Sequence, residues 1–333
     1  MRLLRLVVLS VLGASFLLAC GSDDEKGGGG GSGGSTGGAC VPTAAECYQA
    51  GPTGPGAECL AKADNTGKDV WQGRISQITI KGPERLAQQL VQVAIVDNGI
   101  SLNQPACLED GEGTFSWLFE FDKANGKLKT GGGLPIQDPA AGACFLTMTN
   151  TPLPIAPITV DVSIDPDGLG FTASNIDVYV PIFPSPTELN NPIILPLHKV
   201  NLKGKFSDDT HNCIGKFNGA ELDPANNCLP DVTVGQRKWT AGASLDGYIT
   251  VDEADQVYVE ELGSTLCVFL AGIGQWKGTD GSCKTSDKWN NGERPDGDWC
   301  VATNAAADAS CKDAWHLAGD FSASAFKITG DCP

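Results

Sequence analysis

Apolar and polar side chains alternate with a period of two along several segments of the chain. The clearest segment is ITVDVSID, in which Ile158, Val160, Val162 and Ile164 share one parity and the residues between them are polar. Successive side chains of a β-strand point to opposite faces, so the pattern places one face in a core and the other in water. Two later segments, NIDVYVPI and HKVNLKGKF, repeat it. Strands with one wet face are typical of antiparallel sheets.

Turn and helix signals are fewer. The segment FSWLFEFDKANGKLKT predicts a hairpin that turns at Asn125 and Gly126. The segment TVDEADQVYVEELG predicts a helix, because Thr250 and Glu253 have the spacing of a capping box and Gly263 is a typical helix end. STLCVFLAG predicts a further turn or two of helix. We therefore expect a mostly β fold with a few short helices.

His198 has the same parity as Val200 and Leu202 in HKVNLKGKF. A histidine on an apolar strand face is more often a core residue with its hydrogen bonds satisfied than a ligand. The sequence therefore predicts that His198 faces the core.

Twelve of the 13 cysteines follow Cys20. None of the twelve forms a Cys-x-x-Cys pair and the chain has three histidines, which argues against zinc knuckles. An even number in an exported chain predicts a disulfide framework. Spacing does not determine the pairing, but proximity in the sequence suggests Cys107–Cys144 and Cys213–Cys228. The predicted body is an antiparallel β-sandwich-like fold, or two abutting sheets, with many disulfides.

Residues 1–19 have the length and composition of a secretion signal, with two arginines followed by LVVLSVLGASFLLA. The four residues from Leu17 to Cys20 resemble the lipobox of bacterial lipoproteins. The resemblance implies that the signal is cleaved before Cys20 and that Cys20 is diacylated. Leu18 departs from the alanine or serine that the family prefers. Two or three acyl chains would anchor the protein durably to a membrane.

Residues 20–39 are predicted to be the lipid anchor and a flexible linker. Nine of the twelve residues from Gly27 to Gly38 are glycine, and such a segment behaves as a random coil. The 19 residues from Gly21 to Ala39 have an r.m.s. reach of about 24 Å. Gly21 stands where some bacteria use aspartate to retain lipoproteins at the inner membrane, so the lipobox resemblance implies the outer membrane. Residues 40–333 are the predicted extracytoplasmic body, facing either the periplasm or the surface.

The body resembles uncharacterised lipoproteins of myxobacteria and related bacteria. The similar segments are FSWLFEFDKANGKLKTGG, NLKGKFSDDTHNCIGKFNG and LDGYITVDEADQVYVEELGSTLCVFLAG. The family has no established activity, so the resemblance implies no role for any residue of the body.

The formal net charge of −17 argues against nucleic acid and anionic lipid headgroups as partners. The expected partners are a membrane, through the N-terminal lipid, and a glycan or an envelope protein. No glycine-rich phosphate loop follows a strand, and the sequence predicts neither a cofactor nor a bound metal.

The segment GTDGSCKTSDKWNNGERPDGDWC combines carboxylates with tryptophans. Oxygen-rich loops bind calcium, and exposed tryptophans stack on sugar rings. The candidate ligand residues are Trp289, Asp296, Asp298 and Trp299. An EF-hand pattern starting at Asp287 fails, because a tryptophan occupies its third position. The alternative is a structural loop that Cys283 and Cys300 hold together.

Glu120 and Asp122 share one strand face at a separation of about 7 Å, which suits a pair of glycosidase carboxylates. The segment EFD resembles the start of the E-x-D-x-x-E signature of laminarinase-like enzymes. Asn125 replaces the third acid, so a solvated hairpin face is the alternative.

Three functions follow from these patterns. The first is a lipid-anchored envelope protein without enzymatic activity, which presents loops for binding or envelope organisation. The second is a carbohydrate- or calcium-binding module that uses the loop from Trp289 to Trp299, which we call the tryptophan loop. The third is a glycoside hydrolase-like β-sandwich enzyme that uses Glu120 and Asp122.

Overall fold

Eight antiparallel strands form one continuous sheet that closes on itself. In chain order they are β1 (Val70–Gly82), β2 (Trp117–Asp122), β3 (Lys127–Gly132), β4 (Ile158–Ile164), β5 (Gly170–Ile182), β6 (Ile193–Lys205), β7 (Ala243–Thr250) and β8 (Ala314–Ala325). Each strand pairs with the next one along the chain, and β8 also pairs with β1. Closure gives every strand of the ring a neighbour on both sides. The predicted mostly β, antiparallel fold is confirmed.

The structure is a computed structural model. It describes residues 61–91, 114–136, 138–185, 187–217, 239–272 and 274–333, and the two-residue strands Gln49–Ala50, Gly54–Pro55, Leu222–Asp223 and Leu229–Pro230. All of these residues belong to one unit that spans Cys40–Pro333.

The interior of the closed sheet is filled by the apolar side chains of alternate strand positions. Val162 in β4 and Ile176 in β5 are buried there, as their parity predicts. Aromatic rings fill one part of this core: Phe121 lies 5.0 Å from Phe171 and 5.5 Å from Phe206, centroid to centroid. Burying one such side chain contributes about 1.5–3 kcal/mol. The core is therefore the main source of stability for the ring.

The β2–β3 hairpin has the predicted turn. Asp122 pairs with Lys127 across the two strands, and Gly126 takes a positive φ of 59° in the loop between them. Asn125 donates its backbone and side-chain N–H groups to the Asp122 carboxylate. The turn therefore uses both the flexibility of Gly126 and the amide of Asn125.

A small second core lies on the outer face of the ring. Two short strands, Ala143–Phe145 and Ile328–Asp331, pair in parallel. They contribute to an apolar cluster with Leu118, a residue of β2 that points away from the interior. The disulfide between Cys144 and Cys332 joins the two short strands covalently.

Three disulfides join described residues. They are Cys144–Cys332, Cys267–Cys283 and Cys300–Cys311. The predicted Cys107–Cys144 pairing is therefore wrong, because the pairing of strands far apart in the sequence brings Cys332 to Cys144.

The suggestion that Cys283 and Cys300 hold one loop together is also wrong, since each bonds to a different cysteine. Cys213 is disulfide-bonded as well. Its predicted partner Cys228 lies outside the described residues, so that pairing stays a prediction. Cys107 also lies outside them.

The described helices are short. They are α1 (Gln89–Val91), α2 (Val251–Ala254), α3 (Leu266–Ala271), α4 (Asp287–Asn290) and the 3₁₀ turn Glu260–Leu262. The remaining short strands are Cys213–Ile214, Lys216–Phe217, Trp239–Thr240, Tyr258–Val259, Ser264–Thr265, Trp299–Cys300 and Ala305–Ala306.

The segment around α2 corrects one prediction. Thr250 caps α2 by accepting the backbone N–H of Glu253, as the capping-box spacing predicts. The predicted helix does not continue to Gly263, because Tyr258–Val259 pairs with Ser264–Thr265 as a small antiparallel ladder. Tertiary pairing has overridden the local helix signal here.

Candidate functional site

Three loop segments enclose a cleft, which we call the loop cleft. One segment is residues 150–153, the second connects β5 to β6, and the third follows α2 and contains Gln256 and Tyr258. The cleft has a volume of about 550 Å³, within the range of about 300–1,000 Å³ that is typical of small-molecule sites.

The polar lining of the loop cleft is dominated by side-chain amides. They belong to Asn150, Asn190, Asn191 and Gln256. Glu188 and Glu260 add two carboxylates, and no lysine, arginine or histidine is among the described lining residues. The cleft therefore offers hydrogen bonds without any positive charge.

Tyr258 supplies the aromatic surface of the loop cleft. Its side chain is 48% exposed, and among the described residues only Leu189, at 36%, is another exposed large apolar side chain. The backbone of Tyr258 is fixed by its pairing with Thr265. The ring is therefore open to solvent while its attachment is rigid.

The segment after α2, residues 256–260, forms one wall of the loop cleft and carries Tyr258. Glu253 holds this wall in place. Its carboxylate lies 2.5 Å from His198 Nε2 and accepts hydrogen bonds from Thr250 Oγ1 at 2.7 Å and from Tyr179 Oη at 3.1 Å. His198 is on β6 and Tyr179 on β5, so the contacts tie α2 to the outer face of the sheet. The side chains of His198 and Glu253 are 18% and 17% exposed.

A β-bulge in β6 directs the His198 side chain toward Glu253. Leu197 and Val200 both lie in the core although they are three residues apart, and the register of β6 shifts between them. Lys199 takes a positive φ of 49° in the bulge, and its backbone N–H donates to Asp177. The prediction that His198 faces the core with Val200 is therefore wrong, because the extra residue reverses its side of the strand.

The electrostatics of the cluster favour the charged forms of both partners. The hydrogen bond from Glu253 raises the pKa of His198 against the opposing effect of its burial. Burial acts to raise the pKa of Glu253, but the hydrogen bonds from His198 and Thr250 outweigh it and lower that pKa. Burial and the Glu253 charge raise the pKa of Tyr179 to about 12, so its hydroxyl remains a donor.

A second buried carboxylate holds the same wall. Asp255 is 7% exposed and accepts hydrogen bonds from Thr265 Oγ1 at 2.8 Å and from the backbone N–H groups of Cys283 and Lys284 at 2.6 and 3.0 Å. The segment after α2 is therefore held by the sheet through Glu253 and by the Cys283 loop through Asp255. A wall fixed in this way loses little entropy when a ligand binds.

The four candidate residues of the tryptophan loop all have partners within the chain. Trp299 stacks on His316 with centroids 4.3 Å apart, and Asp298 accepts the His316 backbone N–H at 2.6 Å. The structure thus brings Asp298 and Trp299 together at His316.

The other two candidates contact different residues. Trp289 lies under the Arg294 guanidinium, 4.0 Å from its ring centroid, and Asp296 pairs with Lys312 at 3.0 Å. Both indole rings are thus covered on one face. Ligand binding by this loop stays a prediction.

The proposed glycosidase pair is also engaged locally. Glu120 accepts a hydrogen bond from Gln72 Nε2 at 2.9 Å. The hydrogen bonds from Asn125 lower the pKa of Asp122, so this carboxylate favours the ionised form. These contacts agree with the alternative of a solvated hairpin face.

Two clusters within the described residues have the ligand types of a metal site. One is Asp255 with Cys267 and Cys283, and the other is Cys300 and Cys311 with Asp313. Their sulfurs are joined in disulfides, whereas metals bind the thiolate.

Few features of the sequence indicate the loop cleft. Tyr258 fell within a predicted helix, and the amides lie in loops that are far apart in the chain. The one local signal was the run NNP at Asn190, which is typical of a loop.

Comparison of the chain with family models, curated proteins and solved structures finds no match. In the described part of the chain, no helix has both the length and the apolar composition that a membrane span requires.

Proposed function

We propose that this protein is a lipid-anchored protein of the bacterial cell envelope that binds a ligand in the loop cleft and does not catalyse a reaction. Residues 1–19 are the signal, Cys20 carries the lipid, residues 20–39 form the tether and residues 40–333 form the binding body. The outer membrane is the proposed location.

The loop cleft is the observation that carries the binding function. It combines ligand-sized volume, hydrogen-bonding side chains and an exposed aromatic ring on a wall held by Glu253 and Asp255. These are the usual attributes of a small-molecule site. A flexible tether of about 24 Å would hold the cleft clear of the lipid headgroups.

The His198–Glu253 cluster supports a structural role over a catalytic one. Perturbed pKa values also occur at active sites, but here His198 Nε2, Tyr179 Oη and Thr250 Oγ1 all converge on one carboxylate. The contacts are directed at Glu253 and hold α2 in place. Without enzymatic activity, the function of the protein is recognition.

The anchor is tested by expressing the full chain and a Cys20→Ala variant in a bacterium that processes lipoproteins. We expect the wild-type protein to enter the detergent phase of a Triton X-114 partition and the variant to remain in the aqueous phase or keep its signal. Mass spectrometry should find acyl chains on the N-terminal cysteine. A wild-type N-terminal cysteine without acyl chains, or a Cys20→Ala protein that has lost its signal and still enters the detergent phase, would contradict the anchor.

A further inference from the structure

We infer that the loop cleft binds a neutral oligosaccharide, with one sugar ring stacked on Tyr258. This inference rests on the proposed binding function and specifies its ligand class. It differs from glycan binding by the tryptophan loop, because it places the ligand on a different aromatic residue.

Charge excludes one broad group of ligands. The described lining carries Glu188 and Glu260 and no basic side chain, and the whole chain has a formal net charge of −17. A phosphate, sulfate or carboxylate group would be repelled and would find no cation to pair with. The cleft therefore suits a ligand without negative charge.

The free amides favour a ligand rich in hydroxyl groups. Within the described residues, the side chains of Asn150, Asn190 and Asn191 line the cleft and make no hydrogen bond to another part of the protein. An amide both donates and accepts hydrogen bonds, as a hydroxyl does. Several amides around one space can therefore satisfy the neighbouring hydroxyls of a sugar, whereas an apolar ligand would leave them without partners.

Tyr258 provides the matching apolar surface. A pyranose ring has an apolar C–H face, and an exposed tyrosine buries such a face while its hydroxyl stays in water. The two tryptophans of the other candidate loop are less available, since Trp299 is stacked on His316 and Trp289 lies under Arg294. Among the described residues, Tyr258 is thus the aromatic residue that is exposed enough for a sugar ring to stack on it.

Rigid surroundings favour binding without large rearrangement. Pro152 and Pro192 line the cleft, and a proline fixes its own φ. Tyr258, also in the lining, belongs to the segment held by Glu253 and Asp255. A volume of about 550 Å³ then accommodates a short oligosaccharide at a largely preformed site.

The test uses the full-length protein in detergent and isothermal titration with four neutral probes: maltotetraose, cellotetraose, laminaritetraose and tetra-N-acetylchitotetraose. Oligogalacturonate serves as the anionic probe and spermine as the cationic one. We expect at least one neutral probe to bind and oligogalacturonate not to bind. Tyr258→Ala should weaken binding about tenfold, equivalent to about 1.4 kcal/mol, and Asn190→Ala should weaken it severalfold.

Trp299→Ala is the matched control, and it should leave the affinity unchanged. Thermal unfolding of each variant shows that it is folded, which is expected for Tyr258→Ala because its ring is half exposed. If Trp299→Ala abolishes binding and Tyr258→Ala does not, the loop cleft is not the sugar site. Binding of spermine alone, or of no probe, overturns the oligosaccharide inference. Neither outcome bears on the anchor, which fails separately if the wild-type N-terminal cysteine carries no acyl chain.

Discussion

Replacing Glu253 with glutamine should loosen the wall of the loop cleft in a pH-dependent way. Glutamine has nearly the shape of glutamate and still accepts a hydrogen bond, but it removes the negative charge that faces His198 at 2.5 Å. The substitution therefore isolates the charge from the packing.

The expected loss follows from the contacts of Glu253. Its side chain is only 17% exposed, and it accepts from Thr250 and Tyr179 as well as meeting His198. A hydrogen bond to a charged group contributes about 1.5–3 kcal/mol, against about 0.5–1.5 kcal/mol for a neutral pair. We expect Glu253→Gln to lower the free energy of unfolding by about 1.5–3 kcal/mol where both partners are charged.

The pKa shifts give the pH window of this effect. Because the pKa of folded His198 is raised from 6.5, its contribution is complete below 6.5 and is lost as the pH rises through the folded value. Because the pKa of folded Glu253 is lowered from 4.5, its contribution is present above 4.5 and is lost as the pH falls through the folded value. The pair should therefore stabilise the fold most between about pH 5 and 6.

Urea unfolding followed by tryptophan fluorescence, with disulfides intact, measures the difference between wild type and variant at pH 5.5 and pH 9.5. The difference should become smaller as the pH rises through the folded pKa of His198, because a neutral imidazole leaves only the hydrogen bonds of the Glu253 carboxylate. Glu260→Gln removes the same charge from an exposed position on the same segment and should change stability by less than about 0.5 kcal/mol. An equal loss of unfolding free energy at both pH values, or no loss at pH 5.5, would refute the claim that the His198–Glu253 ion pair holds this wall of the cleft.

Two further predictions concern the stability of the fold. Replacing Cys144 and Cys332 by serine should lower the free energy of unfolding by about 5 kcal/mol, because this disulfide closes a loop with a sequence separation of 188; a loss under about 1 kcal/mol in the same urea assay would show that it does not restrict the unfolded chain. Gly247→Ala should cost about 1–3 kcal/mol, since a Cβ there lies 2.8 Å from the His198 carbonyl oxygen. Gly274→Ala, with no heavy atom within 4 Å, is its control, and equal melting temperatures for both variants would count against close packing at the bulge.

Local features of the fold were predictable from the sequence because they depend on neighbouring residues. The parity of Val162 and Ile176 identified their strand faces, and Asn125 and Gly126 identified a turn. The Thr250 cap formed at its predicted place. Each of these features follows from periodicity or from hydrogen bonds that span a few residues.

The candidate site was predicted poorly because it depends on residues that are far apart in the chain. The bulge at Lys199 inserts one residue into the alternation of β6, and counting by two then assigns His198 to the wrong face. Glu253 is 55 residues from His198, so nothing in either local segment indicates the other. The amides of the loop cleft come together only when the strands have paired.

The sequence by itself determined the buried faces of β4 and β5, where the hairpin turns and where α2 begins. Only the tertiary structure decided that β8 returns to β1 and closes the sheet, that Cys144 bonds to Cys332, and that Tyr258 stands in an open cleft. The reason is physical: a side chain's local preference acts over a few residues, whereas strand pairing and disulfide choice depend on which distant segments bury the apolar core together.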